Sequence, residues 1–186
     1  MTQFKRKYRV ESARLRGWDY TSAGWYFATI CTKGQICLLG NVTDGEMHLS
    51  EIGEIVVDEW LRTAQLRRNV ELDEWVVMPN HIHGIIVIRD SPTFPRARET
   101  PRQGVSTSEG TSSALKRDSL GSIIGQFKSA CTKRIWARGF HDFAWQPRFY
   151  DHIVRSEESL NQIRQYILEN PAKWEIDREQ ITNLWM

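Results

Sequence analysis

Apolar residues along the chain recur at every second position in some stretches and at every third or fourth in others, and each change of spacing marks a predicted element. Trp25–Thr32 is β-branched and aromatic and predicts a buried strand. Ile36–Leu39 and Glu46–Leu49, separated by Gly40 and Asp44-Gly45, predict a hairpin. Ser50 caps a helix with Glu51 and Glu54 in its first turn, and Ile52, Ile55, Val56, Trp60 and Ala64 keep helical spacing towards Arg68. Inside Glu71–Arg89, the apolar runs Trp75–Met78 and Ile85–Ile88 flank a Pro79-Asn80 break, which predicts two antiparallel strands joined by a tight connection. Ser119–Trp136 is a capped amphipathic helix ended by Gly139, with Leu120, Ile123, Ile124, Phe127 and Cys131 along one face. Phe143–Arg155 is extended, and Pro147 denies it a central strand position. Ser156–Ser159 opens the last clear helix, with Leu160, Ile163 and Ile167 as its buried stripe and Asn170-Pro171 as its predicted stop.

Two stretches do not follow either spacing. Residues 1–23 are polar and basic and predict an irregular arm. Asp90–Asp118 is rich in Pro, Gly, Ser, Thr and Arg and nearly empty of large apolar side chains, so it predicts a flexible insertion within one domain spanning 1–186. Ala172–Met186 is a C-terminal extension, read as a short helix or a surface tail.

His81-Ile82-His83 heads the second strand of the Glu71–Arg89 pair. Residues two apart on a strand share a face, so both imidazoles project together while Ile82 and Gly84 point the other way. A pair at this spacing can ligate one metal ion or hold one phosphate, and Gly84 is expected to clear space beside it. The plainer alternative is two half-buried histidines with ordinary hydrogen bonds.

Composition narrows the class. A hydrophobic content of 40% and a charged content of 26% are those of a globular protein, and no apolar run reaches membrane-spanning length. The basic start is followed by no signal-peptide core, so a cytoplasmic location is expected. Cys31, Cys37 and Cys131 lack CxxC spacing, which argues against a disulfide framework or zinc knuckle. The net charge of +2 is too small to argue for nucleic acid alone, but basic clusters interleave with eight Trp. Cations and aromatic faces together suit single-stranded nucleic acid, against the plainer reading of core Trp and solvated charge.

On the last helix Tyr166 sits beside the apolar stripe, and Asn170 lies four residues on along the same face. His81-Ile82-His83 after EWVVMPN, then WQPRFYDHIVR, then a helix ending YILENP resembles the single-tyrosine HUH transposases, closest to the REP-associated tyrosine transposase group. The resemblance covers about Trp25 to Trp174. It implies an α+β fold with an antiparallel sheet of four to five strands and helices packed on it, ferredoxin-like in architecture. It also implies a transposase or endonuclease that cleaves and rejoins single-stranded DNA at hairpin-bearing ends through a 5′-phosphotyrosine. By the same resemblance His81, His83 and Asn170 bind a divalent metal, Mg²⁺ or Mn²⁺, and Tyr166 is the nucleophile. Family relatives often carry Gln where Asn170 stands. The resemblance further implies a nucleoid-associated bacterial protein and admits a homodimer.

His152 is a further pocket candidate, with Asp151 as a partner, or else packs on the sheet. Lys128, Arg134, Arg148 and Arg155 are candidate contacts to a DNA backbone, or else ordinary surface charge. Two competing functions stand beside the transposase: a catalytically silent module that binds single-stranded nucleic acid, and a zinc hydrolase built on the His pair. The second usually needs Asp and His directly after the pair, where this chain has Gly84-Ile85-Ile86.

Overall fold

The computed structural model describes Leu15, residues 17–90, Lys116 and residues 118–180, with side chains through Trp174. Most of the predicted arm and nearly all of the predicted insertion lie outside the described residues.

The order of elements is β1 (Gly24–Cys31), β2 (Gly40–Thr43), β3 (Glu46–Leu49), α1 (Glu51–Gln65), β4 (Val70–Met78), β5 (His81–Ile88), α2 (Leu120–Ala137), β6 (Tyr150–Val154) and α3 (Glu157–Gln180). Four strands form one antiparallel sheet in the order β4-β5-β1-β6, and β2 and β3 form a separate ribbon. The strands of the main sheet and the helices α1 and α2 follow a β-α-β-β-α-β sequence, the ferredoxin-like pattern. Ser50 and Ser119 cap α1 and α2 as expected, their hydroxyls accepting from the Gly53 and Ser122 amides.

Both faces of the sheet are covered. Tyr26, Ala28, Ile30, Ile82, Ile86 and Ile88 pack with α1 and α2 on one side. Phe27, Ile85, Val87 and Val154 pack with Leu160 and Ile167 of α3 on the other. Every residue of β5 is therefore buried, which explains an apolar run rather than an alternation around the His pair.

Three expectations need correction. The ribbon pairs Gly40–Thr43, not Ile36–Leu39, with Glu46–Leu49. Asp44 and Gly45 both have positive φ, and a two-residue turn of that kind pairs the residues directly beside it, here Thr43 with Glu46. Only Tyr150–Val154 of the extended Phe143–Arg155 stretch joins the sheet, at its edge, while Trp145 makes an isolated bridge to Thr32. Finally, α3 does not stop at Asn170-Pro171 but continues to Gln180 with Pro171 inside it. A proline costs a helix one backbone hydrogen bond, and here Asn170 and Trp174 are both buried around it, so packing offsets that loss.

Candidate active site on the tyrosine helix

The site begins with strand parity. Thr29 stands opposite His83 and Cys31 opposite His81 in the β1–β5 ladder, so Phe27, Thr29, His81 and His83 all face α3. β4 carries a bulge between Leu72 and Trp75. Bulges re-aim side chains, and Asp73 in this one accepts from Arg164 of α3, Nε to Oδ1 at 2.9 Å and Nη2 to Oδ2 at 2.6 Å. That fork holds α3 two residues ahead of Tyr166, and it pulls the Asp73 carboxyl below its ordinary range.

The three principal residues meet. His81 Nε2 and His83 Nε2 are 2.9 Å apart, and the Tyr166 hydroxyl lies 3.2 Å from His83 Nε2. Phe27 stacks on the His83 ring at 5.4 Å and meets Tyr166 edge-on at 6.3 Å. Further along α3, Trp174 lies 5.9 Å from the His81 ring. Tyr166, Asn170 and Trp174 are spaced four apart on one helix, so Asn170 sits one turn from each, and it is buried. Both histidines are buried, whereas Tyr166 is 41% exposed. It borders a shallow groove along the outer face of α3 with Asn161, Gln162, Gln165, Glu169 and Lys173.

Burial lowers the His81 pKa from 6.5 to about 4. It holds His83 well below the same value, with the neighbouring His81 adding to the effect. Both rings are neutral near pH 7, the state in which imidazole offers a lone pair to a cation. The 2.9 Å between the two Nε2 atoms is the spacing of neighbouring donors on an ion with bonds of about 2.1 Å. The pair thus fits a divalent ion. Among the described residues no group of three or more His, Cys, Asp or Glu is arranged to hold a metal, so a third protein donor would have to be of another type, such as an amide. The same observation gives the zinc-hydrolase alternative no support, since Gly84, Ile85 and Ile86 are buried strand residues of β5.

The remaining candidates are placed less centrally. His152 is exposed on β6, across from Phe27, while Asp151 on the opposite face is buried. Lys128 donates to the Gln146 and Arg148 carbonyls at 2.6 and 2.9 Å, and burial pushes its amine down to about 8. Arg134 bridges α2 to α1 through Glu59 and Asp58 at 2.7 and 3.0 Å. Arg148 and Arg155 are exposed, the latter 5.7 Å over the Trp18 ring. Gly84 does not clear space for the His pair. A Cβ there would come within 2.3 Å of the Trp60 side chain, so this glycine admits Trp60 of α1 on the opposite face. The three cysteines are free thiols.

Sequence reasoning passed over Phe27, Thr29, Asn80 and Trp174. Asn80 directly precedes the His pair, and Trp174 continues the spacing of Tyr166 and Asn170, so both carried a signal. Thr29 and Phe27 did not, because nothing local shows which strand pairs with β5.

No family model matches the chain. An uncharacterized protein of Haemophilus influenzae is 37% identical over 176 residues, covering 90% of this chain and 91% of that one. The chain belongs to that protein's family. Among solved structures, a REP-associated tyrosine transposase bound to a REP hairpin matches with a TM-score of 0.56 and 20% identity, over 86% of this chain and 73% of that one. The fold of this family member is therefore transposase-like, an α+β antiparallel sheet with three helices packed on it. No helix among the described residues is long and apolar enough to cross a membrane.

Proposed function

We propose that this chain is a metal-dependent, single-stranded DNA transposase or endonuclease with Tyr166 as its nucleophile. The observation that carries the reading is the meeting of the Tyr166 hydroxyl with His83 Nε2 at 3.2 Å, between residues 83 positions apart. Attack on a phosphodiester needs an activated nucleophile, and a neutral imidazole 3.2 Å from the Tyr166 hydroxyl is a group that supports this role. Tyr166 bonds to phosphorus and loses its proton. The bond to the 3′-oxygen breaks, and that oxygen takes up a proton, leaving a 5′-phosphotyrosine and a free 3′-hydroxyl. The linkage keeps the bond energy, so attack by another 3′-hydroxyl reverses the step and rejoins strands without ATP. His81 and His83, with the Asn170 amide as third ligand, would hold Mg²⁺ or Mn²⁺, which when bound would offset the negative charge of the phosphate. Phe27 and Trp174 flank the His83 and His81 rings at 5.4 and 5.9 Å. A hairpin-bearing DNA is the substrate class, supported by the hairpin in the transposase of like fold.

The test is a covalent-adduct gel with Mn²⁺ and hairpin-bearing single-stranded oligonucleotides. The native chain is expected to form the adduct, and Tyr166→Phe to form none while still binding DNA. An adduct that survives in the Phe variant refutes the nucleophile. Strong binding by the native chain without cleavage of any hairpin substrate would instead establish the silent nucleic-acid-binding module.

A further inference from the structure

The His81 ring is held from behind by Asn80, whose Oδ1 lies 2.6 Å from His81 Nδ1. The Asn80 amide cannot turn over without loss, because its Nδ2 donates to the Gln35 carbonyl at 3.1 Å. Its backbone is pinned as well: the Asn80 carbonyl accepts from the Thr32 amide at 2.9 Å and from the Thr32 hydroxyl at 3.0 Å. An amide oxygen only accepts, so the proton of neutral His81 resides on Nδ1 and its lone pair on Nε2.

His83 is set differently. Its Nδ1 faces Thr29 Oγ1 at 2.9 Å, and a hydroxyl both donates and accepts. With a bare lone pair on His81 Nε2, the 2.9 Å contact between the two Nε2 atoms is a hydrogen bond only if His83 donates from Nε2, and the Tyr166 hydroxyl 3.2 Å away then faces that N–H as an acceptor. Thr29 then donates to His83 Nδ1. For both Nε2 atoms to present lone pairs, the His83 proton must sit on Nδ1 instead, and the Thr29 hydroxyl turns to accept it. That exchange moves one proton between the two nitrogens of a neutral ring and leaves its charge unchanged.

We infer that Asn80 is a positioning residue that locks His81 with its lone pair on Nε2, and that Thr29 lets His83 alternate between donating a hydrogen bond and offering a lone pair. Asn80 is 9% exposed and Thr29 4%, so both act through the imidazoles rather than on a substrate. The consequence for ion uptake rests on the ion-binding reading above. The assignment of the His81 proton does not.

Two measurements test it. Nitrogen NMR of the ion-free, ¹⁵N-labelled chain at pH 7 is expected to show His81 protonated at Nδ1 and His83 at Nε2. A His81 proton found on Nε2 overturns the role of Asn80. In calorimetric Mn²⁺ titrations, Asn80→Ala is expected to bind about 10- to 100-fold more weakly than native. Asn80→Asp, which keeps an acceptor against Nδ1, is expected to bind at least as tightly as native. Thr29→Val is expected to weaken binding, and Thr29→Ser to restore it. Native affinity in a folded Asn80→Ala chain overturns the positioning role alone. Absence of Mn²⁺ uptake by the native chain overturns the ion-binding reading, and the NMR result still decides Asn80.

Discussion

Two buried imidazoles held neutral leave a mark on stability as well as on chemistry. In the ion-free folded chain His81 titrates near 4 and His83 well below 6.5, whereas both take up protons near 6.5 once unfolded. Between those values the unfolded state binds more protons than the folded one, so stability rises with pH across the window. The contribution of the pair is complete above about pH 6.5 and is lost as pH falls towards 4. Urea unfolding of the ion-free chain at pH 7.5, 6 and 5 is expected to show a falling midpoint, and His81→Gln/His83→Gln to flatten that fall. An unchanged midpoint in the native chain from pH 7.5 to 5 would contradict the burial argument. Gly84 belongs to the same scale and shows the limit of local reading. Its missing side chain was legible, but the ring that needs the space, Trp60, comes from α1 on the far side of the sheet.

At the scale of the element, α3 decides where the phenol stands. Its apolar stripe, Leu160, Ile163 and Ile167, was readable from spacing alone, and Tyr166 at its edge followed. Its length was not readable, because Pro171 ordinarily ends a helix and the packing of Trp174 on His81 has no local signature. Nor was its anchor. Asp73 reaches Arg164 from the bulged stretch of β4, a contact with no local signature. Arg164→Ala is expected to cost about 1 kcal/mol of stability, as befits a partly exposed ion pair. It is also expected to slow adduct formation more than DNA binding, because the phenol loses its lateral restraint. A double-mutant cycle with Asp73→Ala measures the coupling. Fully additive single losses would show that the fork does not hold the helix.

Across the whole molecule, β5 lies at the centre of the arrangement, with α1 and α2 on one face and α3 on the other. One chain brings His81, His83 and Tyr166 together, so the proposed nucleophile meets the His pair without a second copy. Mixing a His81→Ala/His83→Ala chain with a Tyr166→Phe chain is therefore expected to give no adduct. Recovery of the adduct in the mixture would mean that the tyrosine helix crosses between copies.

What the chain carries locally is the period of its apolar positions, its caps and its breaks. From these came the strands about the His pair, the faces of all three helices and the projection of His81 and His83 together, while the α+β class came from the resemblance those motifs carry. Strand order, the bulge at Asp73, the continuation of α3 through Pro171 and the closeness of Tyr166 to His83 depend on partners far along the chain. The physical reason is that periodicity states which side of an element must be buried, and it leaves open against what. Only the packed sheet, with one helix closing the face that carries the imidazoles, answers that.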